Sequence, residues 1–511
     1  MADAQADAVI VGGGLAGLAC AVALAESGLR TVVLERSSQL GGRARSWTHA
    51  PSGDVVDIGP HVVHSEYANF LALLERLGTR DRIRWQRDRF ITIATQPPTV
   101  LRHRRLPPPL SLLPDLVAGS RLGLGDLFSN NAPTWRALKF GEEDVAELDR
   151  IAALDYLRRA GVSERMIDWF WRFAAMAVMN VPLEACSSAA LLRVHAQLIG
   201  RRGLHFGFAA IGLMNVPLEA CSSAALLRVH AQLIGRRGLH FGFAAIGLAE
   251  LYAAQAERLI RAAGGEVLLH AKARTLERSG ELHRVTLQDG RRIAARYCVC
   301  ALPPQDLGAL RPELAETSAF EPSPYISGYL WFDRKLTRER FWALPWSPER
   351  LNCDFYDLSN IRQGWGERPS VVASNIIHSH RAAGMDDAAI VAASVREITE
   401  FLPGAAAAKL IHSDVHRIPM GIACPKPGTE LKRPATATRV PRLFVAGDWA
   451  RTQLPSSMES AVRSGFLAAE AILSDTGRPR RFALASRPTD GLAGAVRAAT
   501  RLVRGSGPLL A

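Results

Sequence analysis

The chain has 511 residues, 48% of them apolar and 22% charged, and a formal net charge of +13. These proportions exclude a disordered or collagen-like chain and allow more than one packed lobe. The arginines are spread thinly, with few aromatics and no nucleic-acid motif, which excludes nucleic acid as a partner and leaves solvated surface charge, or attraction to anionic lipid headgroups, to explain the positive balance.

Residues 8–11 (AVIV) predict a strand. They meet the turn Gly12-Gly13-Gly14-Leu15-Ala16-Gly17, then an Ala/Leu-rich helical stretch, then an apolar run at 31–34 that ends in Glu35. Strand, turn, helix, strand and acid stand at the spacing of a dinucleotide-binding βαβ unit. Gly12 permits the tight turn, Gly14 lets the backbone approach a pyrophosphate, and Gly17 lets helix and strand pack closely. Leu15 and Ala16 open the helix, whose N-terminus offers N–H groups and a positive dipole end to phosphates. Glu35 is placed to accept hydrogen bonds from a ribose, and Arg36 follows it. The unit starts within ten residues of Met1, so no signal peptide is expected.

Leu40-Gly41-Gly42-Arg43-Ala44-Arg45 comes next. Its glycines allow close backbone approach and its arginine can neutralise a diphosphate, which favours FAD over NAD. Asp57-Ile58-Gly59-Pro60-His61 then ends a short extended segment. Asp57 reads as a structural acceptor rather than a base. His61 and His64 read as packing or hydrogen-bonding residues, and no metal is expected. Residues 102–124 mix arginines with Leu- and Pro-rich stretches and read equally as a surface connection or a lipid-facing entrance. Segments 148–160 and 162–177 show helical apolar spacing. Residues 179–213 are repeated at 214–248 without one substitution, a perfect tandem repeat of 35 residues. Two identical copies do not make a solenoid. They indicate a recent in-frame duplication or an error in the sequence record, and one copy must loop out, pack as an added hairpin or displace its twin.

A helix is predicted at 249–263, before the Gly264-Gly265-Glu266-Val267 strand that leads to Ala273. Cys298 and Cys300 alternate along a strand that runs into Ala301-Leu302-Pro303-Pro304, and they read as core. With no CxxC pair among seven cysteines, a reduced, cytoplasmic setting is expected. Runs at 325–332, 352–356 and 371–377 predict strands, and 388–402 a helix stopped by Pro403 and Gly404. Residues 443–445 predict a strand running into Gly447-Asp448-Trp449, and Ser457-Met458 opens a helix that continues through Leu473. The arginine-rich tail from 476 is expected to be flexible. No charge-free apolar run reaches about 18 residues, so no transmembrane span is expected. No Gly-x-Ser-x-Gly, HExxH or Walker sequence is present, nor a second glycine fingerprint for NAD(P)H.

Together these stretches resemble the flavin amine oxidase and carotenoid (phytoene) desaturase superfamily, over about residues 8–473. Residues 62–78, Arg82-Ile83-Arg84-Trp85, 154–159 and Ser457-Met458-Glu459 look like the phytoene-desaturase type. Residues 106–113 and 454–457 are also similar to its squalene-associated branch, the hydroxysqualene dehydroxylases. Amine oxidases proper usually carry Gly-Glu where this chain has Gly447-Asp448.

The resemblance implies an α/β fold: a Rossmann-type FAD-binding domain, GR2-like, with a discontinuous α+β substrate domain. The FAD-binding pieces would be 5–60, 249–306 and 438–475. The substrate domain would take 61–248, mostly helical, and 307–437, leaving 476–511 as the basic tail. Gly12, Gly14 and Gly17 would hold the FAD pyrophosphate, Glu35 the adenosine ribose and Ala273 the adenine. Leu15, Ala16, Arg36 and Gly42 count among the cofactor-binding residues, with Arg43 near the diphosphate. Gly59, Pro60 and His61 would lie near the isoalloxazine, Gly447 and Asp448 at the diphosphate–ribityl region, and Met458 would approach the flavin through its backbone. No general base is named. The implied activity is desaturation of a long apolar isoprenoid by hydride transfer to the flavin. The alternatives are hydroxysqualene dehydroxylation by reduced FAD, amine oxidation, and a non-catalytic or duplication-inactivated flavoprotein. Electrons would pass to or from a quinone, oxygen or a separate reductase, and an apolar substrate suits peripheral contact with the inner face of the membrane.

Overall fold

The computed structural model describes residues 4–87, 89, 91–102, 115, 122–133, 144–172, 188, 240–344, 347 and 349–485. Three distant stretches of chain build its first sheet. Glu266–Leu268, Thr31–Leu34, Ala4–Val11, Arg292–Cys300 and Leu443–Val445 run parallel in that order. Leu282–Leu287 and Ala273–Ser279 extend it antiparallel. The inner strands are runs of Val, Ile, Ala and Cys, as a sheet covered on both faces requires. Val11 pairs with Leu34 and Cys300, and Cys300 with Val445, so four carboxyl ends stand in one row. Such a row is where open α/β sheets bind ligands.

Helix Leu15–Ala25 is buried along its whole length, which its Ala, Leu, Gly, Cys and Val composition allows. Helix Met458–Asp475 lies against it at backbone distance. A Cβ added to Gly465 would stand 2.1 Å from the Ala16 carbonyl oxygen. Cys298 and Cys300 are fully buried on the opposite face of the sheet, with Val9, Val32 and Val445.

The second sheet has the strand order Leu410–Ala423, Pro322–Phe332, Val371–Ile377, Asp354–Asp357, Phe341–Ala343, Ile91–Ile93 and Thr99–Leu101. Helix Asp387–Phe401 contributes Ile398 to a core with Leu330, Trp342, Phe355 and Val372 of that sheet. A third, small sheet joins Val62–His64, Phe241–Ala244 and Ile83–Gln86.

Several expectations need correction. Among the described residues of 61–248 helices take more of the chain than strands, and the region also supplies five short strands to the second and third sheets. The helix expected at 148–160 is two helices, Val145–Leu148 and Ala153–Arg159. Between them the Asp149 carbonyl accepts from Gly428 N–H (2.8 Å) and its carboxylate from Glu430 N–H (3.1 Å), tertiary bonds that fix a turn there. The tail expected to be flexible from 476 is docked as far as Leu484. Phe482 is buried under the guanidinium groups of Arg76 and Arg480, each 4.8 Å from its ring. The Phe482 and Ala483 N–H groups donate to Glu470 Oε1, and Leu484 N–H to Asn69 Oδ1. The candidate lipid-facing segment 102–124 lies largely outside the described residues, as does the tail beyond 485.

Of the tandem repeat, Ser188 and residues 240–248 are described. Ser188, from the first copy, donates through Oγ to the Leu148 carbonyl and through N–H to the Ile151 carbonyl. The small-sheet strand Phe241–Ala244 comes from the second copy. The two copies thus contribute to different contacts among the described residues.

Candidate functional site

At the row of strand ends, Gly12 has φ +115°, and a Cβ there would sit 2.4 Å from the Ala301 carbonyl oxygen. A Cβ on Gly17 would sit 1.9 Å from the Gly12 carbonyl oxygen. Gly14 differs: its nearest neighbour would be Gly42 Cα at 4.0 Å, so the space beyond it is open. Leu18 N–H donates to the Gly14 carbonyl as the first turn of the helix, which leaves the N–H groups of Leu15, Ala16 and Gly17 without intrahelical acceptors. The second glycine turn backs onto the first. Gly41 N–H donates to the Gly13 carbonyl at 2.9 Å, and Gly41 and Gly42 have φ +114° and +56°.

The Glu35 carboxylate accepts from Gly13 N–H (2.9 Å) and Ser37 N–H (2.8 Å), and its carbonyl accepts from Ala271 N–H. The acid is thus tied to the turn on one side and, two residues before Ala273, to the adjoining segment on the other. Arg43 and Asp448 meet as an ion pair at 2.5 Å, joining the N-terminal glycine turns to the strand–helix unit at the far end of the chain. Arg433 and Ser460 hold the Asp448 carbonyl at 2.9 and 2.8 Å, and Ser464 Oγ accepts from Gly447 N–H. Met458 opens the last helix, with Ser457 as its N-cap. The Arg36 side chain is not brought together with these groups. It turns outward to Asp306, 2.9 Å away at the surface.

A second group of residues clasps the segment 54–59, which opens as the short strand Val55–Asp57, paired with Ser46–Thr48, and ends in the loop at Gly59. On strand Pro322–Phe332, alternate side chains point to one face, and each takes one position of the segment. Trp331 Nε1 donates to Asp54 Oδ2 at 2.8 Å. The Tyr329 hydroxyl donates to the Asp57 carbonyl (2.7 Å) and accepts from Asp57 N–H (3.2 Å). Ser327 Oγ donates to the Ile58 carbonyl at 2.7 Å. Tyr325 covers Gly59 so closely that a Cβ there would stand 2.7 Å from its hydroxyl. The Asp57 carboxylate accepts from Ser46 Oγ, Leu248 N–H and Arg362 Nη2 at 2.7–2.8 Å. With both charges buried, this is a structural hub, not a free base. His61 Nδ1 lies 2.7 Å from the Gly59 carbonyl, and burial holds its imidazole below the usual histidine range. Among the described residues no cluster of His, Cys, Asp and Glu could hold a metal.

A buried aromatic wall joins the second and third sheets, with Tyr356 on the sheet face of Tyr329. Phe341 and Tyr356 rings are 4.7 Å apart, and Phe241 and Phe243 each approach Phe341 at 6.1 Å. His64 completes it against Tyr67 (4.9 Å) and Phe241 (5.3 Å). Burial pushes its imidazole down to about 3, so it is neutral. Glu459, buried at the start of the last helix, accepts from the N–H groups of Asn69 and Phe70 and so caps helix Ala68–Arg76. Burial raises its carboxyl above the usual range.

Tyr329, Tyr325, Ser327, Arg362 and Glu459 were not read from the sequence as site residues. The alternation Tyr325-x-Ser327-x-Tyr329-x-Trp331 in an apolar strand was the available signal: a polar atom at every second position needs partners.

The glycine turns, the open side of Gly14, the helix N-terminus and the paired Arg43 fit a dinucleotide diphosphate, and Glu35 fits a ribose. A family model described as flavin containing amine oxidoreductase matches residues 15–473. The 15-cis-phytoene desaturase of Synechococcus elongatus is 27% identical over 506 residues, covering 91% of this chain and 95% of its own. The carotenoid phi-ring synthase of Streptomyces griseus is 28% identical over 514 residues, covering 93% and 89%. Among solved structures, cyclohexylamine oxidase from Brevibacterium oxydans superposes with a TM-score of 0.65 at 17% identity, over 93% of this chain and 100% of its own. Putrescine oxidase bound to putrescine gives 0.65 at 16%, with the same coverage.

Proposed function

We infer the reaction from one premise: the chain belongs to the flavin containing amine oxidoreductase family. It is a flavin-dependent oxidoreductase. We propose that the flavin is FAD and that the substrate is a long apolar isoprenoid, desaturated as the names of its phytoene desaturase relatives describe. FAD is supported by the fit of Gly12, Gly14, Gly17, Glu35, Arg43 and Asp448 to a dinucleotide. When bound, it supplies the acceptor for a hydride.

The observation that carries the substrate reading is the wall of Phe241, Phe243, Phe341 and Tyr356 that joins the second and third sheets. Aromatic faces and edges receive an apolar chain and exclude water. The residues of the chain position rather than react. The clasp from Tyr325 to Trp331 fixes the segment 54–59, Asp57 and Arg362 anchor it, and the Arg43–Asp448 pair would close the two ends of the chain on one ligand. Among the described residues no helix is long and apolar enough to cross a membrane. The positive net charge favours contact with an anionic membrane surface, where a lipid-dissolved substrate would be met.

The test mixes anaerobic, flavin-loaded protein with 15-cis-phytoene in detergent and follows the visible flavin band. Bleaching, with a product carrying a longer conjugated chain, supports desaturation. An unchanged band with phytoene, together with bleaching by a primary amine, overturns it in favour of amine oxidation. Return of the band when reduced protein meets hydroxysqualene overturns it in favour of dehydroxylation.

A further inference from the structure

Asp354 stands apart from the other buried carboxylates of this chain. Asp57 faces Arg362, Asp54 faces Arg368, and Glu459 and Glu397 each accept backbone N–H groups. Asp354 is 5% exposed; Asn375 and Tyr356 hydrogen-bond its carboxyl, but its Oδ1 has no partner. The ionisable groups that face it are Tyr356 and Cys353 on its own strand and Tyr325 on strand Pro322–Phe332, none of them a cation. Arg381 donates to the Leu351 carbonyl and to the Cys353 sulfur, at 3.9 Å, on the neighbouring residue. Burial pushes the Asp354 carboxyl up to about 7. A buried acid left in this state costs stability, and such groups collect at functional sites.

Its place in the fold says which function. Asp354 pairs with Asn375 across one ladder, and Asn375 with Ser327 across the next. Directly opposed residues share a face of the sheet. Asp354 therefore lies on the face of Tyr325, Ser327 and Tyr329, the face that clasps the loop at Gly59, two strands or roughly 10 Å from the clasp. Tyr356 of the aromatic wall is two residues along the same strand and on the same face. The carboxyl is thus set between the wall proposed to hold the substrate chain and the loop expected at the reactive edge of the flavin. Tyr325 links the two, donating to Asn375 Oδ1 while covering Gly59.

We propose that Asp354 takes up the proton that the substrate loses when its carbon–carbon single bond becomes double, an assignment that rests on the desaturation reading above. Converting –CH2–CH2– to –CH=CH– breaks two C–H bonds and forms one π bond. One hydrogen leaves with its electron pair as hydride to oxidised flavin, which is reduced by two electrons. The electrons of the other C–H bond become the π bond, and its proton goes to the Asp354 carboxylate, to be released to water after the product leaves. Flavin is the oxidant, and no other redox reactant is needed. A buried carboxyl with no cation facing it that ionises near neutrality suits a general base.

The test uses the flavin-loaded full chain and Asp354→Asn, which keeps the shape and hydrogen-bonding reach but cannot carry the proton. The first readout is the infrared C=O stretch of a protonated carboxyl. In wild type it fades as the pH rises through about 7, and it is missing from D354N. The second is the anaerobic rate of flavin reduction by phytoene, which falls roughly 100-fold or more in D354N while flavin content is unchanged. The wild-type rate climbs through the same pH range in which the infrared band fades, and D354N lacks that limb. A D354N protein with the wild-type rate and pH profile overturns the assignment and leaves desaturation standing. A wild-type protein inert toward phoytene's saturated bonds overturns both.

Discussion

The two glycines of the first turn should fail in opposite ways when a methyl is added. In Gly17→Ala the new Cβ would lie 1.9 Å from the Gly12 carbonyl oxygen and 3.2 Å from Ile10 Cγ2. The first obstacle is backbone and cannot rotate aside, so helix Leu15–Ala25 must lift from strand Ala4–Val11. Overpacking of this kind costs about 3 kcal/mol. In Gly14→Ala the nearest atom is Gly42 Cα at 4.0 Å and φ is −82°, which alanine adopts freely. The loss there is that of a poorer N-cap, about 1 kcal/mol or less. The methyl nevertheless occupies the open side from which a pyrophosphate approaches, so flavin affinity should fall at least tenfold, about 1.4 kcal/mol. Urea unfolding of flavin-free protein and fluorescence titration with FAD separate the two effects. The reasoning is refuted if G14A destabilises the flavin-free protein as much as G17A, or binds FAD like wild type.

Removing Arg362 (R362M) strands the buried Asp57 carboxylate and should cost about 3–5 kcal/mol in urea unfolding, a larger loss than any surface arginine gives. Tyr329→Phe deletes one hydroxyl that serves both the N–H and the carbonyl of Asp57, and should cost about 1–2 kcal/mol with the flavin still bound. The Asp354 carboxyl, at 3.8 unfolded and about 7 folded, keeps its proton in the folded state where the unfolded chain has lost it. Stability should therefore fall as pH rises across that window, by about 4 kcal/mol in all, and D354N should lack this part of the slope in urea midpoints taken across it. Deleting residues 214–248 leaves one complete copy of the repeat, able to supply both the Ser188 contacts and the strand now formed by Phe241–Ala244. The shortened protein should keep its flavin content and its unfolding midpoint, and a loss of bound flavin would contradict this.

Local signals were legible where a segment answers to its own residues. Strands Thr31–Leu34 and Val371–Ile377 match their expected limits, and helix Asp387–Phe401 lies one residue from its expected span, fixed by the Asp386 N-cap and by Pro403. Strand Leu410–Ala423 was not singled out. It is an edge strand with half-exposed His, Asp and Arg along it and a proline inside, and its apolar alternation is faint. The break at Asp149 depends on residues 428–430, which no local window contains. The same division holds at the site. Gly12, Gly14, Gly17 and Glu35 announce themselves because the turn chemistry is local. The clasp of Asp57 by Tyr329 and Arg362 spans the length of the chain, and only burial reveals that Asp354 has been left without a cation.

The row of strand ends also sets a schedule. Val11 can pair with Leu34 early, but its other neighbour, Cys300, is made far later, and Arg43 cannot find Asp448 until nearly the whole chain exists. At roughly 5–20 residues per second, the first glycine turn waits tens of seconds on the ribosome for the segments that complete it. During that interval an all-apolar helix, Leu15–Ala25, has no cover. The nascent N-terminus is therefore a natural client for holding chaperones, and cofactor loading is an event of the released chain rather than of the growing one.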